Sequence, residues 1–572
     1  LLQLGGSSQR SSSGMVLHLD VDSAVFDKTP WWSEPLQVTA ASAQVKLNYD
    51  PLTLDLGLLQ AEVNGTDLSL SGSAALTPLG WSYNGQGGVP SVGSQTVMTL
   101  WPEMLNTKSR RWFGQNVRKG TLKNLSFDLR QAAGTAAVLA SSFQFEEAEV
   151  KFMPNMPVIS EGLGYGVLER DEFILALETG YVQSAEGGRL HMDGSSMRVP
   201  NTRVPDPPVI FDLKGRGSVP TLMSLMDNKP FQISTKTKLG IDDVSGQAQL
   251  AAQIETHLKD ELTSRDMSYA LTGTLRDLRS ELLVPGHIFT AELLQLTGTP
   301  DLIEISGAGR VSDIPFEGRW SHALGAPNLS SQVTAKFELT PASLKTLNIG
   351  LPEGSLSGAA EGALRLDIAE NKPVAFEVTS DLTGARLQSE ALNWSKSAAQ
   401  AAQLRVQGVF SEPLQVELLA LEAQGLALEG TVQFDAGGLD RVVLSRLEVG
   451  DWLDGAATFI HQGSGVPMRL LLSGDLDLRS YGKLAGGEAA RADTTAPMPM
   501  SLKLGRLQLS NTLFLSDVRA DFDQGLAAGG AFGGRVNGGV GINGQMSGKG
   551  RGLRLSVTSQ DAAGVLRDAG LL

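Results

Sequence analysis

The chain contains no cysteine and only six histidines in 572 residues. Without cysteine there can be no disulfide, no thiolate nucleophile and no cysteine-bound metal. A long cysteine-free chain suits a bacterial envelope protein. His18, His191, His257, His287, His322 and His461 stand far apart, and none has the HExxH or HxH spacing that places two rings on one ion. Charge is also scarce, at 19% of residues, and its balance is acidic, 47 − 62 = −15. With no basic excess to release counterions, nucleic-acid binding is not expected. An electrostatic grip on an anionic bilayer is equally unsupported. No apolar run reaches the roughly 18 residues that a membrane-spanning helix needs.

What the chain does have is apolar alternation. Hydrophobic residues make up 41% and glycine accounts for 65 positions. Leu52, Leu54, Leu56 and Leu58 alternate with other residues, as do Phe143 and Phe145, and Leu364, Leu366 and Ile368. Leu414, Val416 and Leu418 are followed by Leu426, Leu428, Val432 and Phe434, with Glu417, Glu429 and Asp435 in the opposite phase. Period-2 patterns of this kind describe strands with one apolar face. Gly, Asn and Asp punctuate them at turn spacing.

Helical patterns are few and short: Pro102–Val117, Pro220–Asp227, Pro341–Leu347 and Asp561–Ala569. Many half-apolar strands without long helices between them make sandwiches, barrels or an extended sheet. The expected content is more than about 40% strand and less than about 20% helix. Residues 1–14 read as a flexible Gly/Ser segment, and Ala485–Pro499 as a loop between strand-rich blocks. A softer boundary falls at Asn228–Phe231. The implied segments are 1–14, 15–230, 231–484, 485–500 and 501–572. The chain opens at Leu1 without the basic start of a signal peptide, which leaves room for an upstream segment.

Catalytic patterns are weak throughout. Gly463-Ser464-Gly465 comes nearest to a nucleophile elbow but lacks the strand-to-helix frame. The glycine-dense stretch Gly525–Gly544 has no Lys-Ser/Thr after it, so it reads as tight turns rather than a phosphate cradle. Glu146-Glu147 and Asp242-Asp243 lack calcium-loop spacing and read as solvated strand positions. Trp101, Trp112, Trp320, Trp394 and Trp452 are scattered along the chain and read as separate core anchors.

Trp101–Leu129, WPEMLNTKSRRWFGQNVRKGTLKNLSFDL, joins a short helix to an alternating strand. With Phe143–Val182 (Phe152, Pro154 and Pro157 included) and Phe211–Phe231, it resembles the AsmA-like family, in particular its YhdP-type members. Asp381–Gln400 with Trp394-Ser395-Lys396, and Arg535–Leu572, are similar to later parts of that family. In the closing segment Ala563 interrupts the family's Asp-Ala-Gly-like motif. Family members begin with an inner-membrane helix that these residues do not include, and many are longer, so the resemblance implies a short form or a fragment.

The resemblance implies a mainly β fold, an elongated curved antiparallel β-sheet groove with a few short helices. It also implies a periplasmic place beside the inner membrane of a diderm bacterium, with phospholipid carried towards the outer membrane. No catalytic residue, metal or cofactor comes with it. The expected partners are phospholipid acyl chains, the inner membrane and the outer membrane. Leu414, Val416, Leu418, Leu426, Leu428, Val432 and Phe434 are the expected groove residues. A non-catalytic scaffold for outer-membrane assembly is the alternative, and a carbohydrate-active β-solenoid enzyme is a third reading.

Overall fold

In the computed structural model, the described residues are 2–26, 32, 34–103, 107–152, 156–228, 244–259, 267–284, 286–324, 330–347, 349, 354–369, 372–389, 392–435, 438–463, 466–481, 498–522, 529–549 and 552–570. They form 35 strands and six short helices, so the fold is mainly β as the alternation predicts. No described helix is long and apolar enough to cross a membrane. The chain divides into two units, Leu1–Ile305 and Ser306–Leu572.

In the first unit, each strand from Leu2–Arg10 to Glu172–Gln183 pairs antiparallel with the next. Arg189–His191 and Ser195–Val199 then bridge Glu172–Gln183 to Pro208–Ser218. Val244–His257, Ser268–Val284 and His287–Gly298 continue the ladder. The expected flexible lead-in is part of this sheet. Leu2–Arg10 pairs with Gly14–Phe26, and Ser11 closes the turn by accepting the Gly14 N–H at 3.2 Å. Small polar residues satisfy a strand once a neighbour supplies the backbone partners.

In the second unit, antiparallel neighbours run from Ile314–Ala323 to Arg469–Asp477. Arg469–Asp477 pairs in parallel with Met500–Gln508, after which antiparallel order resumes to Gly552–Thr558. A separate three-stranded sheet of Leu356–Gly358, Ala385–Ser389 and Trp394–Lys396 branches from the connections. The expected loop Ala485–Pro499 lies almost wholly outside the described residues, as do most of Asn228–Phe231, and Pro154, Asp242, Asp243, Ser464 and Gly465.

The helices are α1 (Ser94–Leu100), α2 (Thr107–Asn116), α3 (Val219–Met226), α4 (Pro341–Thr346), α5 (Leu478–Tyr481) and α6 (Ala562–Asp568). The single helix expected from Pro102 is replaced by α1 and α2. Arg110 joins them, donating from Nε to Trp101 O and from Nη2 to Met98 O, both at 3.1 Å. These carbonyls lie at the end of α1, where a guanidinium suits both the orphan acceptors and the dipole. Pro220 and Pro341 sit in the first turns of α3 and α4, where a missing N–H costs nothing. Ser218, Thr340 and Asp561 cap α3, α4 and α6 by accepting backbone N–H groups. α5 had no sequence signal.

Strand direction decides where the helices go. α1 and α3 follow strands of the first unit that run the same way, as do α4, α5 and α6 in the second. Within each unit, helices therefore gather at one end of the strands. The buried clusters lie there too. Leu222 and Met223 of α3 pack on Val244, Ala248 and Leu275, Leu344 of α4 on Leu339 and Ala360, and Val565 of α6 on Val536 and Ile542.

Candidate functional site

Directly paired residues of an antiparallel ladder share a face, so the registers trace each face across the sheet. In the second unit one such row reads Leu366, Phe376, Gly408, Val416, Val432, Val442, Phe459 and Leu470. A second reads Leu404, Leu421, Leu428, Leu447 and Gly455. The first unit carries the same arrangement, with Leu17, Val45, Leu56, Gly72, Gly85, Leu129 and Leu139 in one row. Each unit thus has a sheet face with apolar residues on successive strands.

The expected groove residues fall on this face with two corrections. Leu426, Leu428, Val432 and Phe434 alternate without interruption on one strand, and Glu429 and Asp435 are exposed on its other side. Val416 joins them opposite Val432. Leu418 does not. A bulge at Glu417 and Leu418 pairs Leu418 with Gln407 on the polar face, and Leu419, paired with Val406, takes the apolar position. Leu414 precedes its strand and carries no ladder position. The run Val416-Glu417-Leu418-Leu419 fits either phase, and pairing with two neighbours chooses.

Glycine and phenylalanine shape this face. Among the described residues, six phenylalanines stand directly opposite a glycine in the strand registers: Phe127 and Gly87, Phe143 and Gly166, Phe145 and Gly164, Phe337 and Gly362, Phe376 and Gly408, Phe532 and Gly544. In every pair the ring occupies the space above the glycine. A Cβ on Gly164 would fall 2.6 Å from Phe145 Cζ, on Gly408 2.9 Å from Phe376 Cζ, and on Gly362 3.0 Å from Phe337 Cζ. The rings lie down over the backbone instead of standing on it. They cover glycine peptides and keep the face low, as aromatic side chains do when they shield strand glycines.

One end of the strands is sealed. In the second unit Leu426, Val449 and Leu453 pack beneath Trp394 and Trp452, with Leu387 and Leu392 around them. The two tryptophans, expected as separate anchors, share one cluster. Trp394 Nε1 donates to Gln424 O at 2.9 Å, and Trp452 meets the Tyr481 ring edge-on at 5.0 Å. Asn393 Nδ2 donates to Tyr481 O at 2.7 Å and ties α5 to the small sheet.

Lys396 locks this seal. Its side chain is 2% exposed, and Nζ donates to Leu382 O at 2.7 Å, Ala385 O at 2.8 Å and Ser397 O at 3.2 Å. Three carbonyls match the three donors of an ammonium. Leu382 holds a left-handed φ of 51°, unusual for a branched side chain, with its N–H donated to Ser380 Oγ and its carbonyl accepting from Lys396. Burial pulls the Lys396 pKa below its ordinary value, and the nearby Asp381 charge opposes the shift. In the sequence Trp394-Ser395-Lys396 stands out only as a family likeness. A lone lysine gives no sign that it will be buried.

The other end of the strands leaves the apolar face partly open. Phe410 is 53% exposed there, with its ring 4.9 Å from Phe376. The opposite face of the sheet is ionic. Arg405 pairs with Glu377 at 2.7 Å, Lys336 with Glu361 at 2.9 Å and Arg446 with Glu448 at 2.8 Å. Such exposed pairs contribute little stability but keep that face in water. Among the described residues, no group of three His, Asp or Glu side chains could hold a metal. No protein family, curated protein or solved structure matches the chain.

Proposed function

We propose that the apolar sheet face holds phospholipid acyl chains. In this reading the chain is a periplasmic envelope protein beside the inner membrane of a diderm bacterium, and it assists phospholipid movement to the outer membrane. The observation that supports it most is the unbroken register of apolar residues over successive strands, sealed at one strand end and partly open at the other. Each acyl CH2 removed from water is worth about 0.8 kcal/mol. A row of similar side chains repeated from strand to strand presents no deep trap, so a chain can slide between equivalent positions. The open strand ends leave room for a headgroup in water. The reading uses no catalytic residue, metal or cofactor. The resemblance to AsmA-like proteins points the same way.

Native mass spectrometry of detergent-free protein tests the proposal. Co-purifying phospholipid, lost when Phe434 becomes Asp, is the expected result. Lipid-free protein with an intact sheet counts for the scaffold reading.

A further inference from the structure

Between Asp67 and Glu103 the chain has no Asp, Glu, Lys, Arg or His, in a protein that is 19% charged. This stretch builds the hairpin of Thr66–Thr77 and Gly80–Gly93 and then α1. The hairpin tip, Pro78-Leu79, lies at the strand ends opposite α1 and α3 in the first unit. It is tightly held: Thr77 Oγ1 donates to Gly80 O at 2.8 Å and accepts the Leu79 N–H at 3.2 Å. Leu79 is 79% exposed, more than any other large hydrophobic residue described. Just behind it, Leu76 and Trp81 stand directly opposite each other and are 44% and 48% exposed. Tyr49, Leu54 and Leu139 extend the patch over neighbouring strands on the same face.

We propose that this tip is a wedge that enters the interfacial layer of a zwitterionic phospholipid bilayer. Two features select a bilayer over a protein partner, and a third, the tied turn, favours either. The charge-free hairpin tip suits a medium that penalises a charged side chain at the point of entry, while the nearest charges, Asp50 and Arg130, stay on neighbouring hairpins. Trp81 and Tyr49 beside exposed leucines match the amphipathic rings that settle at a membrane surface. The tied turn presents Leu79 without an ordering cost at binding. Because the chain carries a net charge of −15, anionic lipid gives no help, so insertion is apolar and insensitive to salt. Insertion stands independently of acyl-chain binding by the sheet face. Only its use rests on that reading, since the wedge would hold the hairpin's end of the strands against a source of lipid.

The cysteine-free sequence makes the test direct. Leu79→Cys labelled with a nitrobenzoxadiazole dye reports the tip, and Glu186→Cys reports an exposed turn at the opposite strand ends. With phosphatidylcholine vesicles, the dye at position 79 brightens and shifts to the blue, the dye at 186 does not, and raising the salt changes neither. Unlabelled Leu79→Asp loses vesicle co-sedimentation by about tenfold or more and still co-purifies phospholipid, which separates this proposal from the reading of the sheet face. Three results overturn it: no change at 79, an equal change at 186, or a change at 79 that follows protein concentration without vesicles and so marks a second copy.

Discussion

Phe143 lies over Gly166, its direct cross-strand partner, and the three atoms nearest to a Cβ built on Gly166 all belong to that ring. The pair is therefore a single unit of packing. Gly166→Ala should displace the ring and cost about 1–3 kcal/mol. Adding Phe143→Ala should relieve much of that cost, with a coupling of about 1 kcal/mol or more in a double-mutant cycle. At Gly408 the same rescue should fail, because Gln415 O also stands in the way of a new Cβ. Denaturant unfolding of the six variants and wild type checks both expectations.

The apolar face should reject a carboxylate. Leu428→Asp and Phe434→Asp place an unpaired charge against apolar neighbours, at a cost of several kcal/mol for its desolvation. Both should abolish phospholipid retention, whereas Leu428→Phe should keep it and Glu429→Asp should be silent. Lipid extracted per mole of folded protein is the measurement. Full retention in both Asp variants would remove the sheet face from the function.

The bulge gives a sharper comparison. Leu418→Asp adds a charge on the polar face and should change lipid retention little. Leu419→Asp, one residue on, should behave like Leu428→Asp. If Leu418→Asp is the damaging variant, Leu418 and not Leu419 lies on the apolar face.

Lys396→Met should destabilise the second unit by about 1–3 kcal/mol, because it removes three hydrogen bonds from these carbonyls, leaving Leu382 O with the Ala385 N–H and Ser397 O with the Gln400 N–H. The pH dependence carries a sign. A lysine whose folded pKa lies below its unfolded value binds fewer protons when folded, so its contribution to stability rises with pH in the window between the two values. The stability gap between wild type and Lys396→Met should therefore widen as pH climbs towards the ordinary lysine range near 10.4. Unfolding curves at stepped alkaline pH check this.

Much of the sheet was legible because alternation is written along one strand, as in Leu426, Leu428, Val432 and Phe434. The bulge at Glu417 and Leu418 was not, because it belongs to a pairing of strands and not to either strand alone. α1 escaped notice because Gly93 offers no side-chain cap and nothing acidic marks its first turn. The seal was hidden for a different reason. Trp394 and Trp452 are brought together by a small inserted sheet, and only the folded chain puts Lys396 among carbonyls. The covering of glycines by phenylalanines could have been found, had candidate hairpins been aligned strand against strand.

Nearly every ladder pairs sequence neighbours, and that has a consequence for how such a protein changes over time. A hairpin gained or lost in the middle of a unit needs new partners only on its two flanks. The sheet then widens or narrows by about 10 Å for each pair of strands. Energetically such an array behaves like a row of tiles, each answering chiefly to those beside it. Among the described ladders Arg469–Asp477 and Met500–Gln508 alone are parallel, so the chain between them has to return along the strands. An insertion there would have to preserve a crossover, so length variation between relatives should collect in the hairpins and spare this one joint.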